Sequence, residues 1–416
     1  MPRKPLANLL HDILGDVPIR VVAYDGSASG PVTAGLTVHI RSPKALSYLL
    51  SAPGSLGMAR AYVSGEIDLD GDLYRALSYL WSGAIGSLSW RQRLEALRNI
   101  DPKALRWAEP PPEEYGARRW RDGFRHSKRR DAGVISHHYD VSNTFYEWVL
   151  GPSMTYTCAC YPSEQASLEE AQAHKYDLVC RKLGLQPGMR LLDVGCGWGG
   201  MVRHAAKEYG VHAVGVTLSR AQAEWGAKAI AAEGLSDVAE VRHSDYRDVS
   251  DTGFDAVSSI GLTEHIGLKN LPAYFTFLYD KLRPQGRLLN HCITRPTTRE
   301  PTRSRGFIDR YVFPDGELEG VGTIVSAMQD NGFEVRHEEN LREHYAKTLT
   351  GWCDNLLAHW DEAVAEIGEP RARVWLLYMT GSRLGFERRV IELHQVLGVR
   401  SDEGRSAMPL RPGWGV

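Results

Sequence analysis

The chain has 416 residues, 43% hydrophobic and 24% charged, with a formal net charge of −2. That is enough apolar material for two domains, and it excludes a wholly disordered chain, which needs low hydrophobicity and high net charge. With no basic excess, no nucleic-acid partner is expected. No apolar run approaches the ~18 residues of a membrane span. The six cysteines include no CxxC pair, so a reducing compartment and no metal site are expected. The apolar stretch near the N-terminus is broken by His11, Asp12 and Asp16, which makes a poor signal peptide. A cytoplasmic protein is the expectation.

Residues 1–105 mix short β-like and helix-like stretches and read as a small α+β domain. Leu6–Ile13 is an amphipathic helix, expected to face a core. Pro110-Pro111-Pro112 breaks the pattern, since adjacent prolines cannot continue a helix. Arg118, Arg119, Arg121, Arg125, Lys128, Arg129 and Arg130 follow, opposed by Asp122 alone. Residues 106–133 therefore read as a basic linker, and 134–416 as a second domain.

There, strands and helices alternate. Helix 168–183 ends at Gly184, and 190–194 is a buried strand. A glycine turn leads into helix 201–208. Strand 212–216 is followed by helix 220–233, then strands 239–243 and 254–260. Helix 271–282 precedes strand 286–293. Buried strands alternating with helices predict an α/β domain with a doubly wound, mostly parallel sheet.

Asp193-Val194-Gly195-Cys196-Gly197-Trp198-Gly199-Gly200 links the first of these strands to its helix. Its glycines permit a tight turn and close approach of a ligand, and the helix N-terminus favours an anion. By itself the GxGxxG spacing fits a dinucleotide or a ligand with a carboxylate. A dinucleotide fold expects an acid ~20 residues on, but the second strand runs into Thr217-Leu218-Ser219 instead. Asp193 before the loop resembles the first motif of S-adenosylmethionine-dependent methyltransferases.

The stretch Thr217-Leu218-Ser219-Arg220-Ala221-Gln222 narrows the resemblance to the cyclopropane fatty acid synthase family, including the mycolic acid cyclopropane synthases. His138–Asn143, Thr155-Tyr156-Thr157-Cys158, Asp245-Tyr246-Arg247-Asp248, Glu264-His265-Ile266-Gly267 and Phe307–Gly316 agree with it, so the similarity spans residues 134–400. Gly57–Glu66 resembles the N-terminal domain of the longer, phospholipid-acting members. The resemblance implies a Rossmann-like class I methyltransferase fold. The expected activity is methyl transfer from S-adenosylmethionine to the cis double bond of a phospholipid acyl chain, closing a cyclopropane ring. A methylene branch, left to a separate reductase, is the alternative; a small-molecule methyltransferase is the less favoured one. Dimerisation through the N-terminal domain is a further expectation from the family.

The family also assigns residues. Cys158, Glu264, His291, Ile293 and Tyr345 are expected to hold a bicarbonate ion as the base. In this set Glu264 and His291 act through side chains, Cys158 and Ile293 through backbone groups, and Tyr345 through its hydroxyl. For the cofactor, Tyr156, Thr157, Asp193, Gly195 and Gly197 are expected at the methionine end. Thr217, Leu218 and Gln222 would meet the ribose, and Asp245 with Tyr246 the adenine. Taken singly, His291 reads as a core histidine and Glu264 as a helix-start acid; only their joint occurrence in family order lifts them. Thr263 and Asn290 depart from the family pattern beside the proposed base, and are expected to bear on where the proton leaves. Aromatic residues including Tyr139, Phe145, Tyr274 and Phe275 are candidates for an acyl tunnel. The basic linker is expected to meet anionic headgroups at the inner face of the cell membrane, at about 1 kcal/mol per residue.

Overall fold

The computed structural model describes residues 4–15, 17–82, 108–115, 142–299 and 306–414. The basic run 118–130 and most of the His138–Asn143 motif, Tyr139 included, lie outside the described residues. Two compact units emerge: Met1–Gly116 with Arg305–Pro314 and Trp360–Leu384, and Ala117–Ser304 with Asp315–His359 and Gly385–Val416. The division is therefore discontinuous, whereas the sequence suggests one cut near residues 106–133.

The first unit shows why two late segments join it. Glu114 is buried and takes a bidentate pair from Arg60 at 2.6 and 2.8 Å. Arg310 adds a contact at 2.6 Å and the Tyr311 hydroxyl donates at 3.4 Å. One buried carboxylate thus gathers cations from segments far apart in the chain, Arg60 and Arg310, as a buried charge requires. Arg373 likewise reaches Asp68 at 3.1 Å and the Tyr62 carbonyl at 3.2 Å. The sheet has the order β2-β1-β3-β4: β1 Arg20–Ala23, β2 Ala28–Ser29, β3 Thr37–Ile40 and β4 Ile67–Asp70. The Leu6–Leu14 helix buries Leu6, Ala7 and Leu9, as its amphipathic pattern predicts. Gly57 packs its helix so closely that a Cβ would sit 2.4 Å from the Ala52 carbonyl oxygen.

The second unit is a seven-stranded sheet. In chain order the strands are β5 Arg190–Val194, β6 His212–Thr217, β7 Ala239–His243, β8 Phe254–Ile260, β9 Leu282–Thr294, β10 Glu334–Asn340 and β11 Glu392–Val399. Their order is β10-β11-β9-β8-β5-β6-β7, with β11 antiparallel to both neighbours and the other pairings parallel. Five strands match the sequence reading within a few residues. The other two, β10 and β11, extend the sheet beyond it. Two apolar clusters cover the sheet, one around Leu191, Met201 and Val202, the other around Val257, Phe275 and Leu278.

The Leu168–Leu183 helix shows the local code. Ser167 and Glu170 form a reciprocal capping box, Arg181 and Lys182 occupy the last turn, and Gly184 ends it in the left-handed region at φ 67°. Among the described residues, no helix is long and apolar enough to cross a membrane.

Candidate active site

The parallel strands all point their C-terminal ends at one edge, where such folds bind ligands. Register pairs Val194 with both Val216 and Ser259, Thr217 with His243, and Ile260 with His291. The candidate residues follow these positions directly.

At the first of these ends the chain reverses through Gly195–Gly199. The N–H groups of Gly195 and Cys196 both donate to the Val216 carbonyl, at 2.9 and 3.0 Å, which anchors the loop to β6. Gly197 has φ +55°, and a Cβ there would meet nothing within 4 Å, so open space lies above its backbone. A Cβ on Gly195 would lie 3.2 Å from Leu262, the residue before Thr263-Glu264. The glycine loop and the Glu264 segment are therefore neighbours.

Next to the loop, the Thr217 hydroxyl donates to Gln222 Oε1 at 2.8 Å, and the Leu218 carbonyl lies 3.1 Å from His243 Nε2. Asp245 is clasped by Arg247 at 2.6 Å, and the Tyr246 ring stands edge-on to Tyr274 and Phe277. Asp193 does not reach out over the loop. It is buried in β5, accepts from the Ser258 hydroxyl at 2.6 Å, and burial pushes its carboxyl up to about 7.

Thr157 is held from the side by a group that the motifs did not single out. Lys175 is fully buried and donates to Thr157 Oγ1 at 2.9 Å, while Gln172 Nε2 donates to the Thr157 carbonyl at 3.0 Å. Burial brings the Lys175 ammonium down to about 8. The available signal is periodicity: Gln172, Lys175, Val179 and Lys182 form the buried stripe of an amphipathic helix, and three of the four are polar.

An aromatic row runs from the loop to Tyr345. Trp198 packs on Tyr146 at 4.8 Å, Tyr146 on Tyr156 at 6.0 Å, Tyr156 on Trp352 at 5.3 Å, and Trp352 on Tyr345 at 6.0 Å between centroids. Cys158 Sγ lies 3.8 Å from the Leu341 carbonyl, which also accepts the Tyr345 N–H at 3.1 Å. Cys158 Sγ and the Tyr345 backbone N–H thus share the Leu341 carbonyl, while the Tyr345 ring packs on Trp352 and Phe386. Burial pushes the Cys158 thiol well up, so it stays protonated and is no nucleophile.

Glu264 and His291 form the polar heart. Glu264 Oε1 accepts the Ile293 backbone N–H at 2.6 Å, so that N–H orients the carboxyl. Glu264 Oε2 is buried and has no partner among the described residues. Burial lifts its carboxyl to about 7. His291 Nδ1 lies 3.2 Å from Gln395 Nε2, and His291 Nε2 is buried without a partner among the described residues. Burial, with the charges of Lys175 and Lys182, holds the ring well below its ordinary pKa. Residues 291 and 293 are two apart on β9 and share a face.

Asn290 and Cys292 take the opposite face. Thr263 Oγ1 donates to Asn290 Oδ1 at 2.7 Å, and Asn290 Nδ2 to Cys292 Sγ at 3.3 Å. The two departures from the family pattern therefore bond to each other, and Asn290 turns its side chain away from the face that carries His291. The aromatic residues Phe145, Tyr274 and Phe275 are ordinary core, with the Tyr274 hydroxyl 2.6 Å from Ser259 Oγ.

Residues 126–396 match the family model for mycolic acid cyclopropane synthetase. The chain belongs to this family. It is an S-adenosylmethionine-dependent methyltransferase. It is 56% identical over 409 residues to the probable fatty acid methyltransferase Rv3720 of Mycobacterium tuberculosis, covering 96% of this chain and 95% of that one. It is 37% identical over 277 residues to the cyclopropane-fatty-acyl-phospholipid synthase of Escherichia coli, covering 67% of this chain and 70% of that one. Among solved structures it is similar to the mycolic acid cyclopropane synthase CmaA1 complexed with SAH and CTAB. That likeness has a TM-score of 0.61 and 34% identity, and covers 64% of this chain and 98% of that one.

Proposed function

We propose that the enzyme methylates the cis double bond of unsaturated fatty acyl chains in phospholipids and releases a cyclopropane. The observation that carries this reading is the pair of buried, unpartnered atoms Glu264 Oε2 and His291 Nε2 beside the glycine loop. Two such atoms on neighbouring segments leave hydrogen-bonding capacity that a bound polar group can take up. Relatives named for fatty acid methylation and cyclopropane synthesis support the substrate class.

S-adenosylmethionine, when bound, supplies the electrophilic methyl carbon. The open backbone at Gly197 and the Thr217–Gln222 clasp fit such a group. An alkene is a feeble nucleophile, so the chain must hold it in line and in contact. Methyl transfer leaves a cation on the acyl chain, and water would trap it as an alcohol. The row Trp198–Tyr146–Tyr156–Trp352–Tyr345 offers π faces to that cation and excludes water. A base must then accept a proton. A small anion that both donates and accepts hydrogen bonds, such as bicarbonate, would match the chemistry of an acceptor at Glu264 Oε2 and a ring nitrogen of His291. The family order of the motifs assigns Cys158 and Tyr345 to the same site, and burial that brings the Glu264 carboxyl to about 7 poises it to share the proton.

The name of Rv3720, a fatty acid methyltransferase rather than a cyclopropane synthase, favours keeping a second product in view: a methylene branch formed when the proton leaves a neighbouring chain carbon. The deciding experiment incubates the enzyme with labelled S-adenosylmethionine and unsaturated phospholipid vesicles and identifies the acyl products by mass spectrometry. A ring or a branch separates the two readings, and unaltered lipid refutes both. Residues 118–130 carry seven cations, so vesicle binding is expected to weaken as salt rises; unchanged binding removes the membrane role of this run.

A further inference from the structure

Lys182 is buried and sits 2.7 Å from Gln395 Oε1, with Glu339 paired to its other side. Gln395 is fully buried in β11, opposite His291 in register, and its Nε2 is 3.2 Å from His291 Nδ1. The donor inventory then leaves one arrangement. A lysine ammonium donates and cannot accept, so the Gln395 oxygen must face it. The amide nitrogen therefore faces His291 Nδ1, and an amide nitrogen only donates. Nδ1 must accept, so the single ring proton of a neutral imidazole sits on Nε2.

We propose that Glu339, Lys182 and Gln395 are positioning residues that lock His291 as the Nε2–H tautomer, so that this histidine presents a hydrogen-bond donor to the reaction site and cannot serve as its base. A doubly protonated ring is disfavoured twice. Its Nδ1–H would confront the Gln395 N–H, and the buried ammonium groups of Lys175 and Lys182 repel it. The consequence is a division of labour. His291 Nε2–H donates to an anion, while Glu264 Oε2 is left to accept. The functional weight of the lock rests on the reading of this pocket as the proton-accepting site, but the ring state itself does not.

The test uses the full chain labelled with 15N-histidine and long-range 1H–15N correlation spectra, with His291→Gln to assign the ring. The expected spectrum at neutral pH shows an unprotonated Nδ1 and a protonated Nε2. The opposite tautomer or an imidazolium overturns the proposal. Gln395→Glu places a carboxylate oxygen against Nδ1, which must then carry a proton. This variant is expected to change the ring pattern and to lower turnover by about 100-fold while S-adenosylmethionine binding stays within about twofold. An unchanged ring pattern, or a changed pattern at full turnover, also overturns it. Lys182→Arg preserves a donor toward Gln395 Oε1 and is expected to keep the native pattern; loss of that pattern in a folded variant counts against the relay. If Gln395→Glu does not fold, the native spectrum still decides the tautomer. Failure of the lipid reading appears separately, as native enzyme that leaves unsaturated phospholipid unmethylated.

Discussion

The two halves of the catalytic sheet equip their ends in opposite ways. On the β5–β6–β7 side the candidate cofactor groups are presented by turns: an open glycine backbone at φ +55°, a strand end at Thr217, a capped turn at Asp245. On the β8–β9–β11 side they are buried side chains whose charge and protonation depend on burial and on neighbours far away in sequence. Backbone geometry can be written locally in glycines. A buried ionisable group is set by whatever surrounds it.

Substitutions should separate the two halves. The largest effect is expected from Glu264→Gln, which should lower turnover at least about 1000-fold and leave S-adenosylmethionine binding intact; labelled methyl incorporation and equilibrium dialysis measure the two. An active variant would remove Glu264 from the proton-accepting site. The same variant sharpens the electrostatic point. Folding raises the Glu264 pKa from 4.5 to about 7, so the folded chain binds the proton more tightly than the unfolded one. Its contribution to stability is full below about pH 4.5 and is lost as pH rises through about 7. Glu264→Gln should therefore gain stability relative to the parent between pH 5 and pH 8, by at most about 3 kcal/mol, seen as a Tm difference that grows with pH. Turnover of the parent should rise through the same range, because the ionised carboxylate is the accepting form.

Gly195→Ala should act on the other half. It strains a backbone at φ +74° and presses on Leu262, so cofactor affinity should fall about 10-fold, measured by calorimetry. A loss confined to turnover would break the contrast. Gly57→Ala belongs to the first unit and should cost roughly 2 kcal/mol of stability without changing cofactor affinity per folded molecule. The smallest effect is expected from Thr263→Val combined with Asn290→Leu. Because these two bond to each other, removing both should change turnover by less than about threefold and leave the product unchanged. A new product would show that this pair does steer proton loss.

Much of the parallel half was legible from sequence. Strand periodicity, the helix-ending Gly184 and the glycine run each act over a few residues, so they read out directly. The β10 and β11 strands were not legible. In β11, His394 and Gln395 are polar yet buried, because each is matched by partners from elsewhere in the chain, Thr294 for the first and Lys182 with His291 for the second. The same holds for Lys175 and Lys182, whose burial contradicts their ordinary preference. Glu114 likewise drew residues 305–314 into the first unit through contacts nearly 200 positions apart.

The sequence by itself determined the alternation of strands and helices, the glycine loop and the identity of the groups available for chemistry, because these depend on short-range geometry and on side-chain type. Only the tertiary structure decided which of those groups stay neutral, which atoms are left without partners, and which nitrogen of His291 carries its proton. Those properties are energies of burial and of pairing between distant segments, and they exist only once the chain has brought the partners together.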